Sequence, residues 1–262
     1  MSFSHSSFPF APSVAPDISN PNGHELVGFE CNLTYISHDM TKSHSDNKSC
    51  QRLISPPDLP VLEQLRQWGN AKLADNEFYS TSTGIKLNLS NQTATKVQFD
   101  RINLDCSDLN GTKLLGFKLC DSRLNQSDLA NANWHGAQLV RVEMTDCRML
   151  GLTITEGKLR DCMFMKCNGS YMRFRFASFN AVRFEECDLR DSDFQGTDLS
   201  GVEFYRCDLR NAQMSGVKLK GASLRGSKIE GLAINAKDLE GAIIDPMQAA
   251  YLAPLFGVKV VW

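Results

Sequence analysis

No stretch of the 262-residue chain approaches the roughly 20 uncharged apolar residues of a membrane span, and its start, MSFSHSSFPFAPS, has neither the charged region nor the hydrophobic run of a secretory signal. A soluble, cytoplasmic protein with no membrane contact is expected. Neither sign of charge is in excess: 28 Lys and Arg face 30 Asp and Glu, a formal net charge of −2. Binding to duplex phosphate needs clustered cations that displace counterions, so no direct nucleic-acid binding is expected. The motifs GxxxxGK[ST], HExxH and GxSxG are missing, as is GxGxxG in a βαβ setting, which removes the recognisable nucleotide, zinc and acyl-transfer chemistries. There is no CxxC, and nine cysteines is an odd number in a long chain, so reduced thiols are expected rather than a disulfide framework.

What the chain does have is a repeat of five. From Phe99 to Ile244 every fifth residue is large and apolar, with Gly169 the one exception among 30 positions. A second column lies two residues earlier, and 24 of its 30 members are Ala, Cys, Ser, Thr, Val or Gly. The departures are Ile102, Phe117, Leu152, Met172, Leu232 and Lys237. Helices and strands repeat near 3.6 and 2 residues, so neither holds register with a strict five over this length. A turn-rich solenoid with one large and one small inward side chain per unit does. Between the two columns sits a polar residue, often Asp, as in CSDLN (106–110), ECDLR (186–190) and RCDLR (206–210).

These units resemble the pentapeptide-repeat family, whose pattern is A(D/N)Lxx. The resemblance spans about residues 97–246 without an insertion. It implies an all-β fold: a right-handed quadrilateral β-helix in which four pentapeptides make one coil, here with short helical caps at both ends. The expected organisation is a disordered polar tail over 1–50, an N-terminal helix and irregular entry coil over 51–96, the β-helix over 97–246, and a capping or dimerisation helix and strand over 247–262.

Residues twenty apart should then stack at an inter-strand spacing of about 4.8 Å. Cys147, Cys167, Cys187 and Cys207 are spaced by twenty in the small column, Phe164, Phe184 and Phe204 in the large one, and Phe174 and Phe194 on the opposite side. Stacked thiols point the same way instead of converging on a tetrahedral centre, so the Cys ladder, and Cys162 with it, reads as packing and not as a metal site. Asp188, Asp193, Asp198 and Asp208 resemble a carboxylate array, but Asp in this slot forms turns by bonding its local backbone. His135, the repeat's one histidine, has no acid or nucleophile placed beside it. His5, His24, His38 and His44 fit no ligand spacing. No catalytic residue, metal or cofactor is expected.

At the ends, Leu59, Leu62, Leu65 and Trp68 at helical spacing, closed by Gly69, predict a short amphipathic helix covering the first coil's open edge. Asp245, Pro246 and Gln248 form a capping-box signature for a C-terminal helix. Val258 to Trp262 reads as an apolar strand. The stretch DLEGAIIDPMQAAYLAPLFGVKVV is similar to the C-terminal module of pentapeptide-repeat proteins including the quinolone-resistance (Qnr) group. That resemblance implies a homodimer joined tail to tail, with Met247, Tyr251, Leu252, Leu255, Phe256 and Val258 as contacts; the alternative is a monomer cap.

Two functions are open at this point. One is a non-enzymatic interaction or scaffold module with a protein partner of unknown identity. The other, implied by the Qnr likeness, is a DNA mimic that binds a type II topoisomerase (gyrase) and modulates quinolone or toxin action. Mimicry requires a negative rod, whereas residues 97–246 hold 21 acidic and 20 basic side chains, a net of −1. The least regular stretch, MFMKCNGSYMRFRF (163–176), puts Met163, Met165, Tyr171, Arg173, Arg175 and Phe176 in outward slots. Aromatics, Met and Arg are what interface cores enrich for, so these six are the candidate partner-binding patch. The competing reading is that Tyr171 and Phe176 fold over the gap left by Gly169.

Overall fold

The computed structural model describes residues 53–69 and 72–261. A parallel β-solenoid runs through them. Strand β1 (Arg66–Gln67) starts an eight-stranded parallel sheet that continues through β2 (Phe78–Ile85), β4 (Gln98–Asp105), β6 (Lys118–Asn125), β7 (Gln138–Thr145), β8 (Lys158–Met165), β9 (Ser178–Glu185) and β10 (Glu203–Tyr205). A second pair, β3 (Thr93–Thr95) and β5 (Lys113–Leu115), lies on another side. From β2 onward the register is twenty residues, as in Leu139↔Leu159↔Phe179. Isolated bridges such as Asp108↔Asp128↔Arg148 carry the same register on the remaining sides.

The five-residue period has a local cause. In each unit up to Gly231 one residue takes a left-handed backbone, as at Cys106, Gly111, Gly116 and Asp121, and each such residue turns the chain through a corner. In the coil 157–176 the corners fall at Asp161, Lys166, Tyr171 and Phe176. They bound four sides, 157–160, 162–165, 167–170 and 172–175, hereafter the first to fourth sides. The large column points inward throughout: Trp134 and the five phenylalanines Phe164, Phe174, Phe184, Phe194 and Phe204 are fully buried. The expected ladders form. Phe164 and Phe184 stack at 4.7 Å between ring centroids, Phe184 and Phe204 at 5.3 Å, and Phe174 and Phe194 at 5.2 Å.

Three expectations are corrected at the ends. The entry coil is irregular in sequence but not in backbone, because pairing of β2 with β4 imposes the twenty-residue register on it. The N-terminal cap is a three-residue 3-10 turn, Leu62–Gln64, and not an amphipathic helix. Pro56, Pro57 and Pro60 hold the preceding chain extended, and the open β edge recruits a strand partner instead. Arg66 pairs with Ser82, and the Trp68 N–H donates to the Thr83 carbonyl at 2.7 Å. Leu65 is buried beneath that strand, and Trp68 stacks on Tyr79 at 4.9 Å. Finally, Val258–Val261 forms no strand in the single chain. The tail expected over 1–50 lies outside the described residues.

Helix α1 (Pro246–Leu252) begins as its sequence predicts. Asp245 accepts from the Gln248 N–H at 2.9 Å, and the Gln248 side chain accepts from the Asp245 N–H at 3.1 Å. The Gln248 amide also donates to the carbonyls of Leu224 and Ser227. Those acceptors would be orphaned at the last coil's edge, where a buried unmade bond costs about 1–3 kcal/mol. Asp245 and Asp238 accept from the Gly226 and Gly216 N–H groups at 3.0 and 2.9 Å in the same way.

Candidate functional site

The cysteine ladder is built for packing. The thiols of Cys147, Cys162, Cys167, Cys187 and Cys207 each donate to a carbonyl 23 residues earlier, at 3.4–3.6 Å. Ser107, Thr197 and Ser227 make the same bond from the same column. Thiol and hydroxyl are therefore interchangeable in this slot. Neighbouring thiols and burial hold Cys167 and Cys207 well above the ordinary thiol range and burial pushes Cys162 up to about 12, while the thiols of Cys167 and Cys207 on either side pull Cys187 down, although it is equally sealed from solvent. A protonated, buried thiol is neither nucleophile nor metal ligand. No group of three or more His, Cys, Asp or Glu able to hold a metal occurs among the described residues. Cys106 departs from the expectation of reduced thiols, being disulfide-bonded.

The repeated aspartates are turn residues. Asp108, Asp128, Asp188, Asp193, Asp198 and Asp208 each accept, at 2.8–3.2 Å, from the backbone N–H two residues on. Arg190 and Arg210 also grip Asp188 and Asp208, whose carboxyls they hold below the usual range. Ion pairs occur on all four sides, with Lys218 and Asp198 at 3.8 Å on the first and Arg175 and Asp193 on the fourth. Arg123 meets Glu143 at 2.7 Å and Arg183 meets Glu185 at 2.9 Å on the second side, and Arg148 meets Asp128 at 2.9 Å on the third. Arg141 pairs with the buried Asp121 at the corner between the first and second sides, and the guanidinium outweighs burial to keep that carboxyl low. Asp121 also anchors the N-terminal segment, accepting from the Asp58 N–H at 2.9 Å, while Asp161 accepts from the Ser55 N–H at 3.2 Å. The sequence carries no signal for that contact, because 55–58 lies outside the repeat.

The structure splits the candidate patch of 163–176 in two. Met163 and Met165 stand half-exposed on the second side, in register with Glu143, Arg183 and Glu185. Arg173 and Arg175 stand exposed on the fourth side, two sides away and so opposite them, flanked by the corner residues Tyr171 and Phe176. The latter four form one surface. Tyr171 is 56% and Phe176 66% exposed. Neither covers the gap at Gly169: a Cβ there would meet Met172 Sδ at 2.5 Å and Leu189 Cδ2 at 3.1 Å, so the gap is filled from within by the oversized Met172. That removes the packing-repair reading. Phe176 leans over the next corner, where a Cβ on Gly196 would meet its ring at 2.7 Å. Arg175 pairs with Asp193, while Arg173 makes no ion pair among the described residues.

Of the six residues implied as dimer contacts, Met247, Tyr251, Leu255, Phe256 and Val258 are exposed. Leu252 is corrected: it is buried against the core of its own chain, where it seals the last coil. Ala250, Tyr251, Pro254, Gly257 and Val258 line an open groove beside the helix. No helix of the described residues is long and apolar enough to cross a membrane.

Residues 137–214 match the family described as pentapeptide repeat region. No curated protein matches the chain. Among solved structures it is similar to HetL, a pentapeptide repeat protein involved in heterocyst differentiation regulation from the cyanobacterium Nostoc sp. strain PCC 7120. The identity is 19% and the TM-score 0.46, over 69% of this chain and 89% of that chain. It is also similar to a trypsin-treated form of QnrB1, a plasmid-mediated fluoroquinolone resistance protein, at 16% identity and a TM-score of 0.36, over 72% of this chain and 99% of that one.

Proposed function

We propose, taking the chain as the pentapeptide-repeat protein that its repeat and family match make it, that it is a non-catalytic protein-interaction module. Its partner docks on Tyr171, Arg173, Arg175 and Phe176. The observation that supports this is the exposure of two aromatics around Arg173, which makes no ion pair among the described residues on a solenoid whose other arginines are mostly ion-paired. Exposed aromatics and Arg are the residue types that carry binding energy in interfaces. Met163 and Met165 are not part of that surface. The exposed Met247, Tyr251, Leu255, Phe256 and Val258 support tail-to-tail homodimerisation as the mode of assembly, and the six free thiols among the described residues support a cytoplasmic setting, against which the disulfide at Cys106 counts. The topoisomerase reading is not favoured, because the second side alternates Arg123, Glu143, Met163, Arg183 and Glu203 where a duplex mimic needs one sign.

The test is a pull-down from native lysate with the wild-type protein and a Tyr171→Ala, Arg173→Ala, Phe176→Ala variant. The expected result is loss of at least one specifically captured protein from the variant. A variant that keeps every partner removes the assignment. Supercoiling by purified DNA gyrase is expected to be unchanged by the protein, and potent inhibition would restore the topoisomerase reading.

A further inference from the structure

The fourth side differs from the other three over a longer stretch than the patch itself. Bridges stack Lys113, Asn133, Thr153 and Arg173 in one column. Two residues further on, the same coils place Leu115, His135, Thr155 and Arg175 in a second. The corners beside them are Asn91, Gly111, Asn131, Gly151 and Tyr171 on one edge and Lys96, Gly116, Gly136, Glu156 and Phe176 on the other. From Lys96 to Phe176 this surface therefore holds four cations, Lys96, Lys113, Arg173 and Arg175, against one carboxylate, Glu156. Arg175 is answered by Asp193 in the next coil, but Lys96, Lys113 and Arg173 form no ion pair among the described residues. Leu115 (43% exposed), Lys113 and His135 are open to solvent.

The relief of the surface follows from the corners. Gly111, Gly116, Gly136 and Gly151 carry no side chain, so the first coils of this side are bordered low. Tyr171 and Phe176 close it as a raised step. Five coils at about 4.8 Å each make a strip roughly 20 Å long.

We infer that the fourth side, from Lys96 to Phe176, is a docking strip for an acidic protein segment, whose carboxylates meet Lys96, Lys113 and Arg173 and whose apolar residues meet Leu115, Tyr171 and Phe176. This rests on the interaction reading above and names the chemistry of the partner. Charge complementarity decides the sign, since the strip sets four cations against the single carboxylate of Glu156. Nucleic acid is the weaker fit. A single strand presents a phosphate at every nucleotide and is gripped by a continuous basic groove, whereas Lys113 and Arg173 lie three coils apart with only neutral Asn133 and Thr153 between them.

The test uses the full chain with three probes: poly-L-glutamate, a thymidine 20-mer and poly-L-lysine, titrated at low salt. Poly-L-glutamate is expected to bind, to weaken as salt rises, and to lose at least five-fold in affinity in a Lys113→Glu, Arg173→Glu variant whose circular dichroism is unchanged. An Arg123→Glu variant on the second side should bind as the wild type does. Preference for the thymidine 20-mer or poly-L-lysine, or equal loss in both variants, overturns the proposal. The pull-down above separates the two claims. A lysate partner that is lost with Tyr171→Ala, Arg173→Ala, Phe176→Ala but retained by Lys113→Glu, Lys96→Glu leaves the interaction reading standing and overturns the acidic strip.

Discussion

The coils around Phe176 and those near the C-terminus meet the same geometric demand with different residues. Every unit turns at a left-handed corner except the one at Ala236, where the 3-10 turn Ala236–Leu239 takes its place. From residue 216 onward the left-handed corners are Gly216, Gly221, Gly226, Gly231 and Gly241, for which that backbone is free of strain. From 156 to 191 they are Glu156, Asp161, Lys166, Tyr171, Phe176, Ala181, Glu186 and Asp191. A side chain in this conformation costs roughly 1–2 kcal/mol. The C-terminal coils thus minimise strain next to the cap, while the middle coils accept it and display side chains at their edges. Two of those strained corners carry bulky aromatics, Tyr171 and Phe176, and both belong to the proposed docking surface.

The contrast breaks most visibly in the core. Phe184 stacks on Phe164 and Phe204 and meets Phe174 edge-on at 6.2 Å, so it ties together the ladders of the middle coils. Phe184→Ala is expected to cost about 3–5 kcal/mol, read as a lowered midpoint in urea unfolding. Next comes the glycine end. At Gly221 a Cβ would meet nothing within 4 Å, so Gly221→Ala isolates the backbone term and should cost about 1–2 kcal/mol. The reverse exchange at the middle corners carries the functional content. Tyr171→Gly and Phe176→Gly should each stabilise by about 0.5–1 kcal/mol, the relief of strain less the added entropy of the unfolded chain. The same two variants should lose partner capture.

The smallest effects concern the ladder and the ion pairs. Cys187→Ser keeps the bond to the Phe164 carbonyl and should shift stability by less than about 1 kcal/mol, with the buried Cys187 of the native wild type out of reach of thiol reagents. For Asp188 and Asp208 the folded carboxyls lie below their usual range because of Arg190 and Arg210. Their contribution is present above the unfolded value of about 4 and is lost as pH falls through the lower folded values. Thermal midpoints should therefore hold from neutrality to about pH 5 and fall only in stronger acid, with a slightly smaller fall in an Asp188→Asn, Asp208→Asn variant.

The coil itself was legible because one side chain in five is obliged to face inward, and nothing in a helix or an ordinary strand reproduces that spacing. The Phe and Cys ladders followed from the twenty-residue turn, and the capping box at Asp245 and Gln248 from local chemistry alone. What was not legible depends on edges and on compensation. Trp68 and Leu65 have helical spacing but answer to the hydrogen-bonding demand of an open β edge. Gly169 looked like a gap, but its volume is supplied by Met172 from the column beside it. Leu252 reads as an exposed helix residue until the last coil's interior is seen beneath it. Met163 and Arg173 are neighbours in the sequence and outward by the count of five, but ten residues is two sides of a square, and the patch divides accordingly.

Hydroxyl-radical footprinting of the chain with and without a captured partner tests the central claim most directly, because the protein carries its own reference. Tyr205 is 39% exposed on the second side, against 56% and 66% for Tyr171 and Phe176. The account predicts that oxidation of Tyr171 and Phe176 falls in the complex while that of Tyr205 is unchanged. Protection of Tyr205 with Tyr171 and Phe176 still fully reactive would contradict it.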